Sequence, residues 1–112
     1  LLVVAADGLQ SIAREAAGIT LRRKSLGRSA LCVPVRLENP HQRLCIERYD
    51  DTGTLTLIPV ADYDASLITI ASPDDIGALA ASDDATIARK LSRRQTAFGK
   101  IAFSGPKAVF PL

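Results

Sequence analysis

The chain has 112 residues, of which 47% are hydrophobic and 23% charged, with a formal net charge of +2. This balance fits one globular domain with a modest core, and the charge is too small to imply a nucleic-acid or membrane-surface partner. No apolar run approaches the roughly 20 residues that cross a bilayer, and a single His with two Cys excludes a multi-His zinc centre.

In chain order, Leu1 to Ala6 is an apolar, β-branched run and predicts a buried strand. Asp7-Gly8 is turn chemistry, Ser11 is a helix N-cap and Gly18 a helix C′ residue, so residues 1–18 predict strand, turn and helix. A strand feeding a helix start is a place where backbone N–H groups can face an anion. The basic stretch Arg22-Arg23-Lys24 predicts a solvated connector. Ser29 to Glu38 alternates, with Leu31, Val33, Val35 and Leu37 on one face and Cys32, Pro34 and Arg36 on the other. Pro34 has no N–H to give a ladder, so this strand is expected at a sheet edge or with a bulge.

Glu38-Asn39-Pro40-His41 predicts a turn, with His41 exposed or capping. Arg43 to Tyr49 is then the return strand, Asp50 to Gly53 a turn, and Thr54–Val60 and Ser66–Ala71 two further strands around Asp62-Tyr63-Asp64. Four strands with short connections predict an antiparallel meander. In that pairing Cys32 faces Tyr49 and Arg36 faces Cys45. The thiols are then offset by about 13 Å, too far for a disulfide; two free thiols and a reducing compartment are expected.

Ser72-Pro73-Asp74-Asp75 and Ser82-Asp83-Asp84 predict helix starts. Ile87, Leu91 and Phe98, with Ala85 and Ala88, form the expected buried stripe. Arg89, Lys90, Arg93 and Arg94 are expected on a solvated face, and Gly99 is expected to end the helix. Lys100–Ser104 and Lys107–Leu112 predict two short strands around Gly105-Pro106. The fold class is therefore α+β: a largely antiparallel sheet with helices packed on one face. The acidic pairs all lie at turns or helix starts, so no catalytic or metal-binding cluster is expected. Leu1 begins inside an apolar run and Leu112 ends inside a predicted strand, so the chain is expected to be a piece of a longer one.

Two sets of residues carry a family resemblance. Ala6-Asp7-Gly8, with Ser11 and Arg14, resembles the Asp-Gly motif of FAD-dependent aromatic-ring monooxygenases. Glu38, His41, Cys45-Ile46-Glu47-Arg48-Tyr49, Gly53 and Leu57-Ile58-Pro59-Val60 are similar, in order and spacing, to a run in the ubiquinone-biosynthesis branch of these hydroxylases. Ala97-Phe98-Gly99, Gly105 and Phe110-Pro111-Leu112 extend the resemblance to nearly the whole chain.

The resemblance implies an enzyme that uses FAD, NAD(P)H and O₂ to hydroxylate an aromatic or polyprenylated phenol. Residues 19–112 would form the antiparallel wall of its substrate cavity. It places Asp7, Gly8 and Arg14 near the pyrophosphates of FAD and of the nicotinamide cofactor, and Pro59 near flavin and substrate. It assigns no catalytic side chain; Arg48 and His41 are expected to be structural. The piece by itself is expected to be inactive and to hold neither FAD nor NAD(P)H tightly, because G-x-G-x-x-G is absent. The expected partners are the phenol, a second copy through the exposed sheet, and, for the longer enzyme, a cytoplasmic setting at the inner-membrane periphery or a biosynthetic complex. The alternatives are a non-enzymatic α+β interaction module and a related FAD-dependent reductase or halogenase.

Overall fold

The computed structural model describes residues 2–112. Its elements are α1 (Ile12–Ala16), β1 (Ser29–Leu37), β2 (Ile46–Asp50), β3 (Gly53–Ala61), β4 (Asp64–Ala71), α2 (Pro73–Ala81), α3 (Asp84–Arg94), β5 (Ile101–Phe103) and β6 (Ala108–Pro111). The strands form one antiparallel sheet in the order β2-β3-β4-β1-β5, and β6 pairs with β1 beside β5. The expected α+β class, with the helices on one face, holds.

β1 dictates the sheet. Its alternation buries Leu31, Val33, Val35 and Leu37 together with Leu55, Leu57, Ala65 and Leu67 of β3 and β4. α2 and α3 close this layer with Ile76, Ile87 and Leu91, and Phe98 and Ile101 fill its end. Ser72 and Asp83 cap the two helices by accepting from the N–H groups of Asp75 and Thr86, and Pro73 opens α2, as the sequence predicts. Helix α3 stops at Arg94, before Gly99, because Gln95 leaves the helical region. Ala85 is exposed and does not belong to the buried stripe.

The meander is not formed. β1 pairs with β4 across Cys32↔Ile68, and β2 pairs only with β3. The four strands are arranged as in a Greek key, with β1 returned beside the last of three hairpin-linked strands. A strand this apolar needs neighbours on both sides, whereas β2, with Glu47, Arg48 and Tyr49 exposed, suits a sheet edge. Cys32 and Cys45 are both free thiols; β1 and β2 lie three strand spacings apart, about 14 Å.

Pro34 therefore sits in the central strand, not at an edge. Its carbonyl accepts from Ser104 N–H at 3.0 Å, on the side where β5 ends and β6 has not begun. The missing donor faces that break, and Gly105 lies against the Pro34 ring, where a Cβ would come within 2.6 Å of Cγ.

The Glu38–Cys45 connection that carries the chain from β1 to β2 is held by His41. This residue is 4% exposed, not on the surface. Its Nδ1 accepts from Arg43 N–H at 3.0 Å, which leaves Nε2–H to donate to Ala61 O at 3.2 Å. Its own N–H donates to Asp62 O at 3.2 Å. The imidazole thus clips the crossing loop onto the β3–β4 turn. Gln42 and Arg43, at φ 50° and 63°, take up the sharp bend.

Arg94 departs from the solvated basic face. Its side chain is 19% exposed. Its guanidinium donates from Nε and Nη2 to the two Asp50 carboxylate oxygens, each at 3.1 Å, and to Thr69 Oγ1 and Gly53 O. Arg48 donates to Arg94 O at 2.8 Å, covering a carbonyl at the helix C-terminus. These bonds tie α3 to the β2–β3 turn. There Gly53, at φ 118°, is required because a Cβ would collide with the Ile70 carbonyl. The Thr52 hydroxyl first, and then Arg94, hold the Asp50 carboxyl down at about 2 against its ordinary 3.8.

The N-terminal segment differs most from expectation. Residues 2–6 form no strand, and Leu2, Val3 and Val4 are 85%, 79% and 80% exposed; Leu1 lies outside the described residues. A strand needs a partner ladder, and no other strand reaches this run. The radius of gyration, 17.0 Å, exceeds the roughly 13 Å of a compact chain of this length because the segment stands away from the sheet. It rejoins the fold where Leu26 N–H donates to Leu112 O at 2.9 Å.

Two outcomes are predicted. Leu67→Ala, at a fully buried site, costs about 2–5 kcal/mol in urea denaturation, whereas Val60→Ala on the surface changes stability by less than about 0.5 kcal/mol. Asp50 has a depressed native pKa, so its contribution is complete above about pH 4 and is lost as the pH falls toward 2. Urea midpoints across that window fall for the wild type, and Asp50→Asn is less stable at pH 7 with a shallower acid slope.

Candidate functional site: an open sheet face and an N-terminal corner

Because β-strand side chains alternate, the sheet has a second face that no helix covers. Cys32 and Pro34 of β1, Ile68 and Ile70 of β4, Ile58 of β3 and Phe110 of β6 lie on it. Tyr49 of β2 borders it at 72% exposure, while Ile58 and Phe110 are 41% and 50% exposed. At one end Arg36 bonds both Asp64 oxygens at 3.2 and 3.3 Å and stacks on Tyr63, 5.4 Å from the ring centre. Thr54, Thr56 and Ser66 lie among them, so the middle of the face is uncharged and mixes apolar side chains with hydroxyls. Burial pushes the Cys32 thiol pKa up, so it is held as the neutral thiol.

Pro59, the expected substrate contact, pairs with Ala65 and shares the helix-covered face of Leu55 and Leu57. The residue of its run that reaches the open face is Ile58. Pro59 instead marks a register shift between Pro59 and Ala61, where the ladder of β3 breaks.

The Asp7 corner folds as a capped turn. Gly8 has φ 77°, with open space where a Cβ would stand. Asp7 Oδ2 accepts from Ala13 N–H at 3.1 Å, and Ser11 Oγ accepts from Arg14 N–H at 3.0 Å. The Ser11 hydroxyl, and then the Ala13 amide, lower the Asp7 pKa. Arg14 gives one Nη2–H to Leu9 O at 2.9 Å. Two amides of the helix start are thus taken by the chain's own groups. Arg14 and the bare backbone at Gly8 fit a phosphate; Asp7 fits as the group that shapes the corner. The corner stands apart from the open face, on the segment without a sheet partner.

No group of His, Cys, Asp and Glu that could hold a metal occurs among the described residues. No helix among them is long and apolar enough to cross a membrane.

No protein-family model matches the chain. The ubiquinone hydroxylase UbiL of Rhodospirillum rubrum is 31% identical over 93 residues, which cover 83% of this chain and 22% of that protein. The crystal structure of CmlS, a flavin-dependent halogenase, superposes with a TM-score of 0.63 at 12% identity, over 91% of this chain and 20% of that one. At that identity the second match speaks for the fold alone. The chain spans about a fifth of the length of either protein. In sequence this chain is like a segment of a ubiquinone hydroxylase, and in fold like a segment of a flavin-dependent halogenase.

Proposed function

We propose that this chain supplies the substrate-facing wall of an FAD-dependent monooxygenase that uses NAD(P)H and hydroxylates an aromatic ring, with a polyprenylated phenol of ubiquinone biosynthesis as substrate. The observation that carries this reading is the one-sided burial of the sheet: a broad apolar face remains open opposite the helices. An exposed apolar patch of this kind suits a covering partner. Uncovered, it also favours pairing with a second copy.

Bound FAD would supply the oxygen chemistry. The residues of this chain do three other things. Ile58, Ile68 and Phe110 bind the apolar ring and side chain of the phenol and keep water from the reacting carbon. The Arg36–Asp64 pair, stacked on Tyr63, closes one end of the wall with charges already paired to each other. Arg14 and Gly8 meet cofactor phosphate where the N-terminal run joins a neighbouring sheet as a strand.

The test uses the longer polypeptide. Purified, it carries flavin absorbance, and a phenol makes it consume NAD(P)H and O₂ and release a hydroxylated product. Ile58→Asp lowers kcat/KM by about tenfold or more, because it buries a charge against the substrate. Arg14→Ala weakens cofactor binding by about tenfold, the scale of one charge-assisted hydrogen bond. A flavin-free polypeptide, a halogenated product formed in chloride, or an unchanged Ile58→Asp enzyme contradicts the reading.

A further inference from the structure

On the helix side of the sheet, away from the open face, a groove of about 780 Å³ runs between α3 and β5. Its size is within the range of small-ligand sites. Ala85, Ala88, Ile101 and Phe103 make its walls apolar. Its floor is already satisfied: Ser92 Oγ donates to Ala88 O at 2.7 Å and accepts from Ile101 N–H at 2.9 Å. An occupant of the floor therefore needs no polar atoms, and the β5 amide that an added strand would use is taken.

The two ends of the groove differ in charge. At one end Asp84 is already paired with Lys107 at 2.9 Å. About 8 and 14 Å along the helix from Asp84, Arg89 and Arg93 stand one turn apart, and Lys100 also lines the groove. None of these three cations forms a salt bridge among the described residues. Like charges at this helical spacing repel, and an anion placed between them relieves that repulsion.

We propose that this groove binds one single-chain amphiphile, with its alkyl chain between α3 and β5 and an anionic head between Arg89, Arg93 and Lys100. The site is independent of the flavin reading and lies on the opposite face of the sheet.

Calorimetric titration of the 112-residue chain with dodecanoate, below its micelle concentration, tests it. The expected result is saturable 1:1 binding, with amide NMR shifts confined to Ala85–Arg93 and Lys100–Phe103. Decanoate, two methylenes shorter, binds about fifteenfold more weakly, because each buried methylene is worth about fourfold. Dodecan-1-ol binds at least about tenfold more weakly than dodecanoate, for want of a charge-assisted contact. The variant Arg89→Gln, Arg93→Gln, Lys100→Gln, with its fold checked by its urea midpoint, brings dodecanoate down to the level of the alcohol and leaves the alcohol unaffected. No saturable binding, equal binding of acid and alcohol, shifts on the open face, or binding only to phosphatidylglycerol vesicles overturns the proposal.

Discussion

The structure rests on burying one face of a strongly alternating strand. β1 places four branched apolar side chains on one side, and the sheet assembles around it so that all four enter the core shared with α2 and α3. Strand periodicity then obliges the opposite face to carry the intervening residues. Several of those residues are also apolar, and no element among the described residues covers them. A self-sufficient domain would present polar side chains there. The contrast between a sealed face and a bare one is the feature on which the proposed two-part reading rests.

Two polar devices let the sheet take its order. The His41 clip permits a connection that passes over the β3–β4 turn, so that a polar strand becomes the edge and an apolar one becomes central. The Arg94 fork fixes the far end of α3 to the β2–β3 turn through the carboxylate of Asp50. Neither group faces the open surface. Within the hydroxylase-like run of residues, Arg48 and His41 hold backbone carbonyls.

Much of this was legible in the residues. Period-2 alternation located β1 and β3, the turn residues between them located the other strands from Ser29 onward to within a few positions, and the Ser72 and Asp83 caps located both long helices. Strand order was not legible, because local pattern says where a strand lies but not which strand it pairs with. Arg94 was misjudged by charge type, although its spacing was informative: Ile87, Leu91 and Arg94 fall at i, i+4 and i+7, on the buried stripe. Pro34 was misplaced because a missing donor can face a break between two short strands as well as a true edge. Residues 2–6 are as apolar as any strand here, but a strand needs a ladder, and this chain provides none. Pro59, which the resemblance places near substrate, pairs with Ala65 on the helix-covered face, and its neighbour Ile58 lies on the open one.

The central claim is that the bare face is an interior surface of a longer flavin enzyme. The chain carries its own probes for this, since Cys32 lies on that face and Cys45 lies exposed on the crossing loop. Maleimide labelling rates should be compared between the isolated chain, kept dilute and monomeric, and the FAD-loaded longer polypeptide. The account predicts that Cys32 becomes protected in the longer polypeptide while Cys45 reacts at the same rate in both. Equal reactivity of Cys32 in the two would contradict it.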